Sequence, residues 1–266
     1  LAASNYSLSY ANGTLSITPA ALSITGANAT ATYTGLAQTN SAASVSGLKN
    51  SDSFTISGYG VGTNASTTAY ADTLVATPVA GTLASNYTIS YTNGGITIGK
   101  ANATVTGNSA SVTYTGLAQS VSGYTATGLV NNETIAVLTG VSASGATGIN
   151  AASYTNTMSG TDSNYNLTLV NGTLTIGKAN ATVTGNSANV TYNANSQSVS
   201  GYTATGLVNG ETIAVLTGVT ASGATGTNYG SYANTVSGTD SNYNLTLVNG
   251  TLAIAKAALT VTGANT

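Results

Sequence analysis

One phrase returns along this chain at a nearly constant spacing, and no other feature constrains the fold as strongly. Residues 163–176 read Ser-Asn-Tyr-Asn-Leu-Thr-Leu-Val-Asn-Gly-Thr-Leu-Thr-Ile, and the phrase returns almost unchanged at 241–254. Looser copies occupy residues 85–98 and 4–17, so the Asn-Tyr pairs begin at 5, 86, 164 and 242. These spacings of 81, 78 and 78 residues predict a tandem array of small domains.

The period also predicts where the repeats begin and end. We expect the end of a preceding repeat at 1–18, repeat 1 at 19–98, repeat 2 at 99–176, repeat 3 at 177–254, and the start of a further repeat at 255–266. The tail agrees with this division, because residues 257–265 echo residues 20–28 at a distance of 237 positions. The chain therefore reads as a window on a longer array.

The composition favours strands over helices. Thr, Val, Ile and Tyr suit strands and Asn, Gly and Ser suit turns, whereas Lys, Glu, Arg and Gln are scarce. In repeat 3 we expect about seven short strands, among them 181–184, 189–192, 198–205, 212–217 and 231–237, which is the density of a small sandwich. The predicted fold is therefore all-β, a tandem array of Ig-like β-sandwich repeats of about 78 residues. A β-grasp-like repeat, with a short helix at 221–229, is the alternative.

The predicted structural residues lie at turns and at junctions between repeats. Asn171-Gly172 is a strong signal for a two-residue hairpin turn, which would pair Leu169 with Leu174 and Leu167 with Ile176. A lysine recurs after the last strand of each repeat, in a linker without a Pro-rich or Gly/Ser-rich spacer. The predicted turn and junction residues are Asn93, Gly94, Asn171, Gly172, Asn249, Gly250, Lys100, Lys178 and Lys256.

The residues that are missing exclude several classes of function. The chain has no Cys, His or Trp, so it has neither the usual ligands of zinc nor the Ser–His and Cys–His couples of nucleophilic catalysis. Four Lys+Arg against six Asp+Glu cannot neutralise a phosphate backbone. Uncharged stretches such as 73–99 are interrupted by Asn, Ser, Thr and Gly too often for membrane insertion. We expect no catalysis, no nucleic-acid partner and no membrane insertion.

The few acidic residues admit two interpretations. Glu133 and Asp162 are a candidate carboxylate pair, but their recurrence as Glu211 and Asp240 in the next repeat indicates an architectural role. Residues 162–166 have the alternating oxygen ligands of a calcium loop without its later Gly and bidentate Glu. An Asx-type turn is therefore the favoured prediction, no cofactor is expected, and calcium is the alternative.

The repeated phrase resembles the MBG/YDG-type repeats of large bacterial secreted and surface adhesins, including filamentous-haemagglutinin-like exoproteins of two-partner secretion systems. A tyrosine motif adds to the resemblance as Tyr33-Thr-Gly35 and Tyr114-Thr-Gly116, but the third copy departs from it as Tyr192-Asn-Ala194. The residues that carry the phrase are Asn164, Tyr165, Gly172, Thr173, Leu174, Ile176, Lys178 and Ala179.

The resemblance implies a stalk or spacer segment of an extracellular adhesin or biofilm-matrix protein, secreted or on a bacterial cell surface. The expected partners are neighbouring repeats of the same or identical chains. The first alternative is a self-associating extracellular filament or sheath subunit. The second is a carbohydrate-binding repeat array whose partners are surface glycans. Low net charge and a polar Asn/Thr/Ser surface favour the first alternative, because little Coulomb repulsion opposes association.

Overall fold

A computed structural model describes residues 4–263, whose regular structure consists of thirty β-strands and three short 3-10 helices. The 3-10 helices span Ala84–Asn86, Ile135–Val137 and Ile213–Val215. No helix in the described range is long and apolar enough to cross a membrane.

Ten strands follow one another in each repeat. In repeat 1 they are β1 (Ala20–Gly26), β2 (Asn28–Thr32), β3 (Gln38–Thr39), β4 (Ala43–Ser46), β5 (Phe54–Ser57), β6 (Val61–Gly62), β7 (Tyr70–Ala71), β8 (Val75–Pro78), β9 (Tyr87–Thr92) and β10 (Gly95–Gly99). In repeat 2 they are β11 (Ala101–Gly107), β12 (Ala110–Thr113), β13 (Gln119–Val121), β14 (Tyr124–Thr127), β15 (Val141–Ala143), β16 (Ala146–Gly148), β17 (Ala152–Asn156), β18 (Met158–Gly160), β19 (Tyr165–Val170) and β20 (Gly172–Gly177). In repeat 3 they are β21 (Ala179–Gly185), β22 (Ala188–Thr191), β23 (Gln197–Val199), β24 (Tyr202–Thr205), β25 (Val219–Ala221), β26 (Ala224–Gly226), β27 (Gly230–Asn234), β28 (Val236–Gly238), β29 (Tyr243–Val248) and β30 (Gly250–Ala255).

The described residues divide into two compact units that do not coincide with the sequence repeats. Unit 1 contains the residues up to Ala103 together with Gly128–Thr139 and Thr161–Leu167. Unit 2 contains Thr104–Thr127, Gly140–Gly160 and the residues from Thr168 onward. The repeat boundaries stay a prediction, and the repeat numbers are used below as names for stretches of sequence.

In unit 1, repeat 1 forms two three-stranded sheets and two strand pairs. β1 runs parallel to β9 and antiparallel to β4, while β10 runs parallel to β2 and antiparallel to β7. The pairs β3–β6 and β5–β8 are antiparallel. Leu22, Ile24, Leu74 and Tyr87 form a core against which side chains of β4, β5 and β8 pack. The sheet β4-β1-β9 and the pair β5–β8 are therefore the two layers of a small sandwich.

In unit 2, repeat 3 has the same pairing. β21 lies between β24 and β29, and β22-β30-β27 forms the second sheet, again with one parallel pair in each. Every second residue of β21 is buried, namely Ala179, Ala181, Val183 and Gly185, as the period of a strand with one core-facing side requires. In repeat 2 the sheet β12-β20-β17 and the pairs β13–β16 and β15–β18 follow the same plan.

The predicted all-β fold of tandem repeats built as small sandwiches is confirmed, whereas the β-grasp-like alternative is wrong. Its helix was placed at 221–229, but this segment contains the end of β25 and all of β26. Ala224 and Gly226 are buried there in strand alternation, and Val236 pairs with Ala221. The apolar contacts of these strands exclude a helix at this position.

The predicted Asn-Gly hairpins are wrong. The turn at Asn171-Gly172 should have paired Leu169 with Leu174, but β20 instead pairs with β12 and β17. In repeat 3, β29 and β30 likewise belong to different sheets, on either side of Asn249-Gly250. The alternating apolar residues suit both arrangements, because each strand buries one face whichever neighbour it pairs with. The parallel partners of these strands lie about 60 residues earlier in the chain, and the antiparallel partner of β20 or β30 lies about 20 residues earlier.

At three Asn-Gly pairs the chain passes from one sheet to another, namely Asn93-Gly94, Asn171-Gly172 and Asn249-Gly250. A Cβ on Gly172 would lie 2.2 Å from the Asn108 carbonyl oxygen and 2.5 Å from that of Gly107. The Asn171 side-chain oxygen accepts a hydrogen bond of 2.8 Å from the Met158 backbone N–H. Glycine is therefore needed for the close approach of two backbones, and its φ is not in the positive region that a type I′ turn requires.

A second strand prediction, at 212–217, is also wrong. This segment forms the 3-10 helix Ile213–Val215, and the Thr212 side chain accepts a hydrogen bond from the Ala214 N–H. Leu216 is buried, whereas Ile213 and Val215 are exposed. The run of apolar residues favoured a strand, but only one of them reaches the core.

Within the described range, residues 4–19 and 256–263 form no strand. Residues 4–19 contain a further Asn-Gly pair, Asn12-Gly13, and Leu15 and Ile17 in this segment are exposed. Leu259 and Val261 are exposed in the C-terminal fragment. Residues 1–3 and 264–266 of these predicted fragments lie outside the described range.

Candidate functional site: a tyrosine–carboxylate cluster between repeats

A carboxylate held by two tyrosines joins repeats 1 and 2 within unit 1. Tyr33, the residue after β2, donates a hydrogen bond of 2.6 Å to Oε1 of Glu133. Tyr165, the first residue of β19, donates to Oε2 of the same carboxylate and accepts a hydrogen bond of 3.0 Å from the Val130 N–H. The two rings meet edge to face, with centroids 5.4 Å apart and an angle of 81°. Both oxygens of the acid are therefore bound, one by each repeat.

The same cluster joins repeats 2 and 3 within unit 2. Tyr114 donates a hydrogen bond of 2.6 Å to Oε1 of Glu211, and Tyr243 donates to its Oε2. The Val208 N–H supports the Tyr243 hydroxyl at 2.9 Å, and the two rings again lie 5.4 Å apart at 82°. Two independent copies of one geometry identify the cluster as a property of the repeat.

The backbone conformation of the loop before Glu133 places its carboxylate between the two tyrosines. Asn131 and Asn132 precede Glu133 with φ of 51° and 56°, a left-handed conformation that asparagine tolerates better than most residues. Gly35 faces this loop with φ of +74°, and a Cβ there would lie 2.8 Å from Cβ of Asn131 and 3.0 Å from Oε1 of Glu133. The Tyr-Thr-Gly motif thus supplies the hydroxyl and, two residues later, the space for the incoming loop.

Side-chain amides add a second contact across each junction. Asn164 accepts a hydrogen bond of 2.9 Å from the Ala65 N–H and donates one of 3.3 Å to the side-chain oxygen of Asn64. Asn242 makes the corresponding bonds, at 2.8 and 3.2 Å, to Ala151 and Asn150. Asn164 and Asn242 therefore bind the backbone of the preceding repeat, while the tyrosine that follows each of them binds the carboxylate.

The predicted junction lysines bind within these same regions. Nζ of Lys100 donates to the backbone oxygen of Asp162 at 2.6 Å, and Nζ of Lys178 donates to that of Asp240 at 2.7 Å. Lys256 instead lies over the ring of Tyr229, 5.0 Å from its centroid, a cation–π geometry.

The predicted Asx-type turn is confirmed. Oδ1 of Asp162 accepts hydrogen bonds from the backbone N–H groups of Asn164 and Tyr165, at 2.8 and 3.0 Å. Its partner in the candidate acid–base pair, Glu133, binds two tyrosines instead. The two carboxylates therefore serve separate structural tasks, because one orders the turn that positions Tyr165 and the other receives the hydroxyl of that tyrosine.

Repeat 1 carries a variant of the acidic position. Tyr87, the counterpart of Tyr165, donates a hydrogen bond of 2.7 Å to Oδ2 of Asp52 and accepts one of 2.9 Å from the Lys49 N–H. This hydrogen bond to the carboxylate raises the pKa of Tyr87. Phe54 takes the edge-to-face position against its ring, at 5.6 Å.

The clusters stabilise the neutral form of their tyrosines. The hydrogen bond to Glu133, and then burial, raise the pKa of Tyr33 to about 12, while burial and then the same carboxylate raise the pKa of Tyr165 to about 12. The pKa values of Tyr114 and Tyr243 reach about 12 for the same reasons, with Glu211 as the carboxylate. A tyrosinate would place a second negative charge against the carboxylate and lose the hydroxyl proton that binds it.

These pKa values predict a loss of stability at alkaline pH. Because the folded pKa lies above the unfolded value of 10, the contribution of the clusters is complete below pH 10 and is lost as the pH rises through about 12. Tyrosinate absorbance and circular dichroism recorded together between pH 9 and 12.5 would follow both events. We expect Glu133→Gln to move part of the tyrosine titration towards pH 10, and an unchanged titration curve would contradict the assignment.

Sequence reasoning found the parts of this site but not their association. The Tyr-Thr-Gly motif, the recurring Glu and the Asn-Tyr pair were each visible, and Glu133 was paired with Asp162 rather than with Tyr33. The sequence signal that could have found this site was a glutamate that recurs two positions after an asparagine, as Glu133 and Glu211. Tyr33 and Glu133 are 100 residues apart, so no local pattern connects them.

The comparisons with known proteins agree on the repeat. The sequence profile of the family described as MBG domain (YGX type) matches residues 103–175 and 181–253. Among solved structures, the crystal structure of the I9-I11 tandem from titin covers 91% of this chain and 98% of that chain, with 13% identity and a TM-score of 0.22, a likeness too low to carry an argument. A search of curated proteins found no match.

Proposed function

Since this chain belongs to the MBG domain family of the YGX type, we propose that it is a non-catalytic stalk or spacer segment of a long bacterial extracellular adhesin or biofilm-matrix protein. The single observation that supports this proposal most directly is the cluster of two tyrosines and one carboxylate, because it appears at both junctions between repeats. The partners of each repeat are then the neighbouring repeats, and the function of the chain is to bear and transmit mechanical force.

A spacer needs neighbours that resist bending and separation, and three kinds of contact supply this resistance. Tyr33 and Glu133 join through a charge-assisted hydrogen bond, which is about twice as strong as a neutral one. Asn164 binds the preceding repeat through both atoms of its amide. The ring contact of Tyr33 with Tyr165 adds packing. Each junction therefore combines directional hydrogen bonds with close packing of side chains. A flexible linker between independent domains would need neither kind of contact.

The charges and the missing residue types support the same function. Within the described residues, no group of three or more acidic side chains gathers where a metal could bind. The candidate acids bind tyrosines or order a turn. We place the chain outside the cell, where long repeat arrays carry adhesive domains away from a surface. A net charge of −2 leaves little electrostatic repulsion along such an array.

Pulling on the full chain tests the spacer function. We expect a sawtooth of unfolding events with contour-length increments of roughly 20–25 nm, which is about 78 residues at up to ~3.6 Å each less the folded length. The increments follow from a domain that unfolds as one unit. Single-molecule force spectroscopy on the chain between two handles would show them. Gradual extension without discrete events would contradict a mechanical role.

Substitution of Tyr33 by phenylalanine tests the junction itself. We expect Tyr33→Phe to lower the free energy of unfolding by about 1–3 kcal/mol, because it removes one bond to an ionised group while keeping the ring. Tyr192→Phe is the matched control, since Tyr192 holds the same motif position but is 41% exposed; its cost should stay within about 0.5 kcal/mol. Urea denaturation in dilute solution measures both. Equal costs for the two variants would count against a coupling role for the cluster.

A further inference from the structure

Unit 2 contains three Asn-Gly pairs, each preceded by valine, and Asn209-Gly210 is held differently from the other two. Asn209 and Gly210 are exposed and have φ of 51° and 69°, the positive values of a type I′ turn. The Glu211 N–H closes this turn by donating to the Val208 carbonyl oxygen at 2.9 Å. A Cβ on Gly210 would meet no described atom within 4 Å. The peptide bond between Asn209 and Gly210 is therefore open to solvent.

The other two pairs are fixed at the start of strands. The side-chain oxygen of Asn171 accepts a hydrogen bond of 2.8 Å from the Met158 N–H, and Gly172 is the buried first residue of β20. Asn249-Gly250 has the same arrangement at the start of β30, with a hydrogen bond of 3.0 Å. Since all three pairs share the local sequence Val-Asn-Gly, only the fold distinguishes their backbones.

We propose that Asn209 deamidates in the folded chain, with Gly210 supplying the attacking nitrogen, and that the product loosens the junction between repeats 2 and 3. The Gly210 nitrogen loses its proton to solvent and bonds to Cγ of Asn209, the bond from Cγ to Nδ2 breaks, and ammonia leaves. Water then opens the succinimide ring to aspartate or, by attack at the main-chain carbonyl carbon, to isoaspartate. The net reaction consumes one water and releases one ammonia, so it needs no oxidant. The inference goes beyond the spacer function and does not depend on it.

Glycine at position 210 favours this reaction because it has no side chain to crowd the attacking nitrogen. The corresponding pair in the first junction is Asn131-Asn132, with φ of 51° and 56°. The two loops therefore share one left-handed conformation, but Asn132 carries a Cβ that hinders attack by its own nitrogen. The two junctions have the same geometry and differ in chemical reactivity.

The turn lies between two groups that bind the same tyrosine of the junction. On one side the Val208 N–H donates to the Tyr243 hydroxyl at 2.9 Å, and on the other Glu211 accepts the proton of that hydroxyl. Isoaspartate adds a carbon atom to the main chain between them, so both groups cannot keep their places. Either product also puts a negative charge beside the Gly116 carbonyl oxygen, to which the Asn209 amide donates at 3.5 Å. Both changes weaken the contact between the repeats.

Incubation of the full chain at mildly alkaline pH, followed by peptide mass spectrometry, tests the reaction. We expect Asn209 to deamidate about tenfold faster or more than Asn171 and Asn249, because these react only after their strands open locally. In urea the three rates should converge, and a difference that persisted there would show that the fold is not its cause. Gly210→Asn reproduces the pair of the first junction and should slow the reaction at Asn209 about tenfold or more. Equal rates at the three sites of the folded chain, or no slowing in this variant, would overturn the proposal.

Hydrogen exchange tests the consequence for the junction. The chain modified at Asn209 carries an additional negative charge, so ion exchange separates it from the unmodified chain. In the modified chain we expect the amide protons of Val208 and Glu211 to exchange about tenfold faster or more. Those of Val130 and Glu133, which make the corresponding bonds in the first junction, should keep their protection. Unchanged protection of Val208 and Glu211 would overturn the proposal and would leave the pulling experiment on the spacer function untouched.

Discussion

Changing Gly172 to alanine is expected to lower the free energy of unfolding by about 3 kcal/mol or more, at the upper end of the cost of overpacking. The added Cβ would meet the carbonyl oxygens of Asn108 and Gly107 at 2.2 and 2.5 Å and the carbonyl carbon of Gly107 at 2.6 Å. All three atoms belong to backbone that β11 and β12 hold in their sheets, so no side chain can rotate away. The strain must therefore push the start of β20 away from the backbone between β11 and β12.

Gly177 supplies the matched control in the same strand. A Cβ on Gly177 would lie 3.6 Å from the nearest atom, the Val112 oxygen, which is an ordinary contact. Gly177→Ala should therefore change stability by less than about 1 kcal/mol and in the favourable direction, because alanine loses less backbone entropy on folding. Chemical denaturation of the two variants measures the difference. Similar values for both would show that the close approach of the two backbones at Gly172 tolerates a side chain.

Asn156→Asp is expected to cost about 3–5 kcal/mol at neutral pH, the range for a buried charge without a partner. Asn156 is fully buried, and its amide nitrogen donates to the carbonyl oxygens of Asn108 and Gly123 at 3.2 and 3.0 Å. Its oxygen accepts from the Gly145 N–H at 2.9 Å. An aspartate would turn two attractive contacts into repulsion between oxygens, and it would relieve this only by taking up a proton. The loss should therefore shrink as the pH falls, in denaturation curves recorded between pH 4 and 8.

Repeat 1 contains the reverse case and serves as the control. Asp72 occupies the corresponding position, 1% exposed, and its two oxygens accept from the backbone N–H groups of Gly60 and Gly94 at 2.8 and 3.1 Å. Asp72→Asn would direct an amide N–H towards a backbone donor, but it buries no charge, so we expect a smaller cost of about 1–3 kcal/mol. If Asn156→Asp proved the milder change, the hydrogen-bond assignment of these buried groups would be wrong.

Several residues that stand out in the sequence have a different role in the structure from the one predicted for them. Asn171 and Gly172 stood out as a hairpin turn, but the amide of Asn171 satisfies a backbone donor of Met158 and Gly172 makes room for a second strand. Glu133 stood out as a candidate acid and became the acceptor for two tyrosines. Asn156 was not marked at all, although Tyr154-Thr-Asn156, Tyr232-Ala-Asn234 and Tyr70-Ala-Asp72 recur in the three repeats.

What the sequence by itself determined is the class of fold and its repetition. A period near 78 residues, the composition of strands and turns, and alternating burial are local properties, so they predict an all-β tandem array without knowledge of any long-range contact. Only the tertiary structure decided which strands pair. β29 alternates in the same way whether it turns back onto β30 or lies parallel to β21, and the choice depends on packing between segments more than 60 residues apart. The bond from Tyr33 to Glu133 spans 100 residues for the same reason, so the site between the repeats appears only once both are folded.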